Sequence, residues 1–178
     1  MIPKFRRRKE MKTDYHARLA MIKSGEPRMV VRASNSHTTV QFVKWTANGD
    51  VTVVSATTAQ LAEHGWKSGT GNVPAAYLVG ILAGNAAKKA GITKAVLDIG
   101  LASSTPGGRI YSALKGVLDA GVNVNHDAAM LPSEDRINGK HIATWSASAK
   151  KPNFSKYGIA AVDFPKHVVE VKSKIMKV

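Results

Sequence analysis

The residues of this sequence best suited to chemistry are cations that can bind phosphate. The segment Arg6–Lys9 reads Arg-Arg-Arg-Lys. A guanidinium group presents a planar fork of N–H donors that matches two phosphate oxygens, which an ammonium group cannot do. Arg28 and Arg32 stand four residues apart, so in a strand their side chains lie on one face. These positions predict contacts with a phosphate backbone.

Two polar loops add groups that complement a nucleic acid. The segment 34–37 reads Ser-Asn-Ser-His, and its side chains can donate to phosphates, 2′-hydroxyls or base edges. The segment 105–109 reads Thr-Pro-Gly-Gly-Arg at a predicted helix start, where backbone N–H groups of Gly107 and Gly108 can approach an anion beside Arg109. Each feature alone is typical of a solvated surface, but together on one small basic protein they favour RNA.

Carboxylates offer a second chemistry, which is metal-dependent cleavage of RNA. Asp98 ends a predicted buried strand, and four acids follow it: Asp119, Asp127, Glu134 and Asp135. Two-metal catalysis needs three or four carboxylates around ions about 4 Å apart. Roles at predicted helix ends account for Asp119 and for the acids after Ser133. A metal-dependent RNA nuclease using Asp98 and neighbouring carboxylates nevertheless stays open as an alternative.

Other catalytic and cofactor patterns do not occur. Lys67-Ser68 precedes Gly69, whereas a P-loop needs its Lys-Ser/Thr pair after the second glycine. The six histidines include no i, i+4 pair, and the chain has no cysteine, which excludes disulfides, thiolate zinc sites and a cysteine nucleophile. We expect no enzyme activity, no catalytic residue, no metal, no cofactor and no small-molecule substrate.

The net charge of +14 over 178 residues is unevenly distributed. Residues 1–36 carry +7 and residues 150–178 carry +5, which leaves +2 for the middle. Basic arms around a nearly neutral body are common in nucleic-acid binders, although anionic membranes attract such arms too. The apolar stretch Val73–Ala87 is shorter than the ~20 residues of a membrane span, and no signal peptide follows the basic start. We therefore expect a soluble intracellular protein with no membrane partner.

The elements that position these residues follow from hydrophobic periodicity and turn residues. Helical spacing from Met11 to Ile22 predicts a short amphipathic helix that ends at Ser24-Gly25. The dipeptide Asn48-Gly49 predicts a hairpin within an antiparallel meander. The meander strands are predicted at 28–34, 38–46 and 51–55.

Helices and a strand follow the meander. The predicted helices are 58–64, 74–90, 109–120 and 133–145, and a buried strand is predicted at 95–100. Small residues with GxxxG spacing at Gly80 and Gly84 indicate close packing of the long helix. The predicted fold class is α/β (α+β): a mixed sheet with a three-stranded antiparallel meander followed by helix-strand-helix.

The two ends of the chain are predicted to be extensions of this body. Residues 1–24 form a basic N-terminal arm with a short helix, and residues 25–145 form an RNA-binding α/β domain. Residues 146–178 form a Lys-rich extension, with a linker at 146–153 and a terminal helix. The apolar stripe of that helix is predicted to dock on the body or on a partner, and it comprises Phe164, Val168, Val171, Ile175 and Val178.

The sequence from about Arg6 to Trp145 resembles a known family. Its motifs include Ser24-Gly25-Glu26-Pro27-Arg28, the 34–37 turn, Thr70-Gly71-Asn72-Val73-Pro74, Ala95-Val96-Leu97-Asp98-Ile99-Gly100-Leu101 and the 105–109 loop. The family is the large-subunit ribosomal protein numbered eighteen, which binds 5S rRNA, in its archaeal and eukaryotic-type branch. Segment 146–178 matches no motif of the family.

The resemblance implies a non-enzymatic protein of the cytoplasmic ribosome. It implies that the protein anchors 5S rRNA in the central protuberance and contacts 23S-type rRNA and neighbouring large-subunit proteins. It makes Asp98 structural. Carried over by position, the implied RNA-binding residues are Arg6, Arg7, Arg8, Lys9, Arg18, Arg28, Arg32, Ser34, Asn35, His37, Gly107, Gly108 and Arg109. A non-specific basic RNA chaperone stays open as a further alternative.

Overall fold

The computed structural model describes residues 5–148 and 161–176. Within these residues the chain forms five strands and seven α-helices. The strands are β1 (Arg28–Ala33), β2 (Thr38–Thr46), β3 (Gly49–Thr57), β4 (Lys94–Asp98) and β5 (Asn123–Val124). The helices are α1 (Arg6–Lys9), α2 (Tyr15–Lys23), α3 (Val73–Lys89), α4 (Arg109–Asp119), α5 (Glu134–Ile137), α6 (Lys140–Ser148) and α7 (Phe164–Met176).

The sheet is mixed, with the strand order β3-β2-β1-β4-β5. Strands β1, β2 and β3 pair antiparallel, which confirms the predicted meander. The hairpin turn is Ala47-Asn48, and Gly49 opens β3 with a φ of 135° that favours glycine. Helix α3 then carries the chain back so that β4 runs parallel to β1. The fold class predicted from the sequence is confirmed.

Helices α3 and α4 cover one face of the sheet and pack closely on each other. A Cβ on Gly80 would overlap the carbonyl oxygen of Ala113, and a Cβ on Gly84 would lie 2.5 Å from the Cβ of Ala120. The glycines therefore let the two helix backbones approach, which confirms the interpretation of the GxxxG spacing. The core beneath them includes Met29 and Phe42, both fully buried.

Helix α7 packs against α3 at a second hydrophobic cluster. Its apolar side chains Phe164, Val168, Val171 and Ile175 are buried with the α3 residues of the second core cluster. The tail helix predicted from the sequence therefore covers its own body. Residues 149–153 of the predicted linker, and Val178 of the predicted stripe, lie outside the described residues.

Helix α2 and the helix predicted at 58–64 differ from the sequence predictions. Helix α2 begins at Tyr15 rather than Met11, because Asp14 accepts the N–H groups of His16 and Ala17 as an N-cap. The apolar stripe predicted for this helix is not buried, because no residue of α2 is buried. The helix predicted at 58–64 is a 3₁₀-helix over Thr58–Ala62.

The helix predicted at 133–145 is split into α5 and α6. Gly139 separates them with a φ of 74°, and a Cβ there would overlap the ring of Phe164. The predicted linker also starts too early, because 146–148 belong to α6. Among the described residues, no helix is long and apolar enough to cross a lipid bilayer.

Candidate nucleic-acid interface

Five charged side chains form a chain of ion pairs on the sheet face opposite α3 and α4. Arg28 donates from Nη1 to Asp98 Oδ2 at 2.9 Å and from Nη2 to Asp50 Oδ2 at 2.6 Å. Arg18 of α2 donates to the same Asp50 oxygen at 2.8 Å. Arg32 donates from Nη2 to Asp98 Oδ1 at 2.9 Å. Three cations alternate with two carboxylates, so the chain has a net charge of +1 and ties α2 to the sheet.

The pleat and the strand register produce this arrangement. Arg28 and Arg32 are four residues apart on β1, so both side chains point to the same face, as their spacing predicts. The parallel register of β1 and β4 sets Asp98 opposite Val30, midway between the two arginines. Asp50 is the second residue of β3, directly after the hairpin turn, and from there it reaches Arg28.

Arg28 is not placed to bind RNA as the sequence predicted. It is 6% exposed, and both of its terminal nitrogens are paired with carboxylates. Its guanidinium group compensates the charge of the 5%-exposed Asp98 inside the protein. A buried charge needs such a partner, so the role of Arg28 is structural.

Arg32, in contrast, is held in place and still half exposed. Its Nη1 donates to the carbonyl oxygens of Val31 and Asp98 at 2.8 and 2.7 Å. The guanidinium group lies against Gly100, where a Cβ would come within 2.9 Å of Cζ. Counted over the described residues, three of its five N–H donors are used, and 49% of the side chain is exposed. Arg32 is therefore a pre-positioned cation with donors left for a ligand.

The basic segment Arg6–Lys9 forms the single-turn helix α1, and all four of its side chains are exposed. Arg7 Nε donates to Thr13 Oγ1 at 2.8 Å, and Arg6 lies 3.7 Å from Glu10. A cleft of about 350 Å³ separates this segment and α2 from the sheet, and both Arg7 and Arg32 line it. Arg7 of the predicted arm and Arg32 of β1 are thus brought to one cleft.

The 34–37 turn is closed by one of its own predicted contact residues. Ser34 Oγ donates to the His37 carbonyl and accepts the His37 N–H, both at 3.0 Å. The hydroxyl of Ser34 therefore shapes the turn. Asn35 and His37 have exposed side chains, which leaves them available to a ligand.

The glycine-rich loop also differs from its predicted role. The Gly107 N–H donates to the Met130 carbonyl at 2.9 Å, and the Gly108 N–H donates to the Thr105 carbonyl at 3.1 Å. Neither amide is free for an anion. Arg109 donates from Nη1 to the carbonyls of Ser34 and Gly71, so it braces the turn.

The carboxylates of the nuclease alternative have other partners. Asp98 accepts from two arginines and from the Gly100 N–H. Asp119 accepts the hydroxyl of Tyr77 at 2.7 Å and pairs with Lys115 at 2.9 Å, and burial together with Asp119 raises the pKa of Tyr77. Within residues 5–148 and 161–176, no group of three or more His, Asp or Glu side chains could hold a metal ion.

Two residues of this region had no role in the sequence predictions. Asp50 follows a turn dipeptide, and its partners lie 22 and 32 positions away in the chain. Trp145 is 56% exposed and lines a groove of about 740 Å³ beside the 34–37 turn. A tryptophan at the end of the helix predicted at 133–145 was the sequence signal for the second residue.

Comparison with known proteins gives a consistent family. A family model described as "Ribosomal large subunit proteins 60S L5, and 50S L18" matches residues 2–95 and 84–127. A protein of Caldivirga maquilingensis named large ribosomal subunit protein uL18 is 49% identical over 98% of this chain and 89% of its own length. Proteins of the same name are 47% identical in Methanothermobacter thermautotrophicus and 44% identical in Haloarcula marismortui, each over 96% of this chain and over 93% and 91% of their own lengths.

Proposed function

Since this chain belongs to the family of large-subunit ribosomal proteins 60S L5 and 50S L18, we propose that it binds 5S rRNA and anchors it in the central protuberance. It is a protein of the large ribosomal subunit, and its archaeal relatives are components of cytoplasmic ribosomes. The observation that carries the proposal is the half-exposed, braced Arg32 in one cleft with the exposed Arg7 of α1.

The proposed contacts are those that the geometry leaves available. Cations of α1 neutralise phosphates, and Arg32 supplies a fixed guanidinium fork beside them. Arg18 is 29% exposed at its side chain and borders the same cleft. The side chains of Asn35 and His37 offer polar groups to 2′-hydroxyls or base edges at the turn. Arg28, Ser34, Gly107, Gly108 and Arg109 hold the neighbouring strands and loops in place through hydrogen bonds within the protein.

Binding of this kind recognises the shape of a folded RNA. The deep groove of an A-form helix hides its base edges, so phosphates and 2′-hydroxyls carry most of the contacts. A rigid body with one braced arginine and a cationic segment beside it selects the spacing of phosphates on a folded junction. By the same chemistry we propose 23S-type rRNA and neighbouring large-subunit proteins as further partners.

The salt dependence of 5S rRNA binding tests the role of α1. Replacing Arg7 and Arg8 by glutamine removes two exposed cations. If both neutralise phosphates, the slope of log K against log salt becomes shallower by about 1.5, at roughly 0.7 to 0.9 per contact. In a matched control, Lys166 and Lys174, which are exposed on α7, are replaced by glutamine. Equal slope changes in both double variants would contradict a specific role for α1.

A further inference from the structure

We infer that the groove beside the 34–37 turn binds an unpaired RNA base, which stacks on Trp145. The groove lies between this turn, the 68–72 loop and helix α6, and its volume is about 740 Å³. This volume is within the range of ~300–1,000 Å³ that holds small organic ligands. The inference rests on the proposed RNA binding and adds a site for a base to the contacts with phosphate.

The floor of the groove is rigid, which favours a binding site. Thr70 Oγ1 donates to the Ser36 carbonyl at 2.6 Å, and Arg109 joins the carbonyls of Ser34 and Gly71. A Cβ on Gly71 would overlap the Asn35 carbonyl oxygen, so the turn and the loop are in direct backbone contact. The two segments are therefore fixed relative to each other before any ligand arrives.

The wall of the groove has the chemistry of a base site. Trp145 offers an aromatic face, and stacking on such a face accepts any base. Asn35, Ser36 and Thr70 place amide and hydroxyl groups around it for the polar edge of a base. Among the described residues, the ten that line the groove include no carboxylate that would repel the phosphates on either side of the base.

The position of the groove identifies RNA as its occupant. The exposed side chain of Asn35 belongs both to the groove lining and to the turn proposed to contact RNA. A strand that leaves a duplex at this turn would bring a splayed base to Trp145. A continuous duplex keeps its bases stacked and cannot fill the groove.

Trp45 is a matched control, because it is also 56% exposed. It lies near the hairpin end of β2, seven residues from Thr38, where the 34–37 turn joins the strand. At ~3.3 Å per residue this separates it from the turn by ~23 Å. Its replacement removes an equally exposed indole from the hairpin end of the sheet, outside the lining of the groove.

The affinity for 5S rRNA of the full chain and its Trp145→Phe, Trp145→Leu and Trp45→Leu variants tests the proposal. Loss of one stacked base weakens binding by about 5- to 150-fold, so we expect this loss in Trp145→Leu. Trp145→Phe retains an aromatic ring and should keep most of the affinity. If the contact were apolar without stacking, Trp145→Leu and Trp145→Phe would have the same affinity. Trp45→Leu should bind as the unaltered chain does, and a blunt-ended RNA duplex should bind all four proteins equally.

Fluorescence tests the same contact without disturbing α6. In a Trp45→Phe chain the emitting indoles are Trp145 and Trp66, which is only 5% exposed. We expect 5S rRNA to quench Trp145 and the blunt duplex to leave it unchanged. Unchanged emission at saturating 5S rRNA, or Trp145→Leu affinity within twofold of the unaltered chain, would overturn the base site. Either result would leave the proposed function intact if 5S rRNA still binds in preference to other RNA.

Discussion

Replacing Asp98 by asparagine removes one of the two negative charges of the ion-pair chain and nearly conserves the side-chain shape. Asp98 and Arg28 are 5% and 6% exposed. Removing one partner of a buried pair costs about 3–5 kcal/mol, because the other charge loses its compensation. Arg28 keeps its bond to Asp50, so we expect the lower value, about 3 kcal/mol. In a chain of this length that lowers the melting temperature by roughly 6–12 °C.

Urea unfolding followed by circular dichroism measures this free energy, and a thermal melt gives the midpoint. Glu170→Gln is the control, because it removes the same charge from an exposed pair with Lys174 and should leave the midpoint unchanged. An Asp98→Asn chain within about 0.5 kcal/mol of the unaltered protein would refute the structural role, which predicts a loss several times larger. Magnesium-dependent RNA cleavage that disappears in this variant would support the nuclease instead.

Three further changes test the helix packing, the tail and the interface. Gly80→Ala places a methyl group against the Ala113 carbonyl and should cost about 1–3 kcal/mol in urea unfolding; an unchanged free energy would contradict close packing of α3 and α4. Burial lowers the pKa of His167 in the folded protein. The contribution of the neutral imidazole to folding stability is therefore complete above the unfolded-state pKa near 6.5, and it is lost as the pH falls through the folded-state pKa. His167→Gln should therefore lose less stability than the unaltered chain between pH 7 and pH 5, and equal losses would disprove this. Arg32→Ala should weaken 5S rRNA binding by about 1–3 kcal/mol, whereas an unchanged dissociation constant would show that Arg32 is only solvated.

Local sequence signals predicted the elements that depend on neighbouring residues. The meander, α3, α4 and α7 follow from apolar periodicity and from glycines at turns and helix ends. Strand β5 has only two residues and carries no period, and its pairing with β4 is a tertiary event. The break between α5 and α6 also depends on tertiary contact, since Phe164 occupies the space beside Gly139.

The candidate site was predicted less completely, because pairing decides which cation stays available. The sequence shows that Arg28 and Arg32 share a face, but not that Asp98, 70 residues from Arg28, folds between them. Two arginines of the same strand thus differ in role, because Arg28 is buried and Arg32 is half exposed. Likewise, the partner of the Gly107 amide is a carbonyl 23 residues away, which no local motif reveals.

Competition binding tests the central claim most directly. Labelled 5S rRNA is bound to the full chain at near-physiological salt, and unlabelled 5S rRNA or tRNA is added as competitor. If the braced Arg32 and the α1 cations recognise the folded shape of 5S rRNA, unlabelled 5S rRNA should displace the label at far lower concentration than tRNA. Equal displacement by tRNA would show that the +14 charge attracts RNA without selecting it, and would contradict the proposed function.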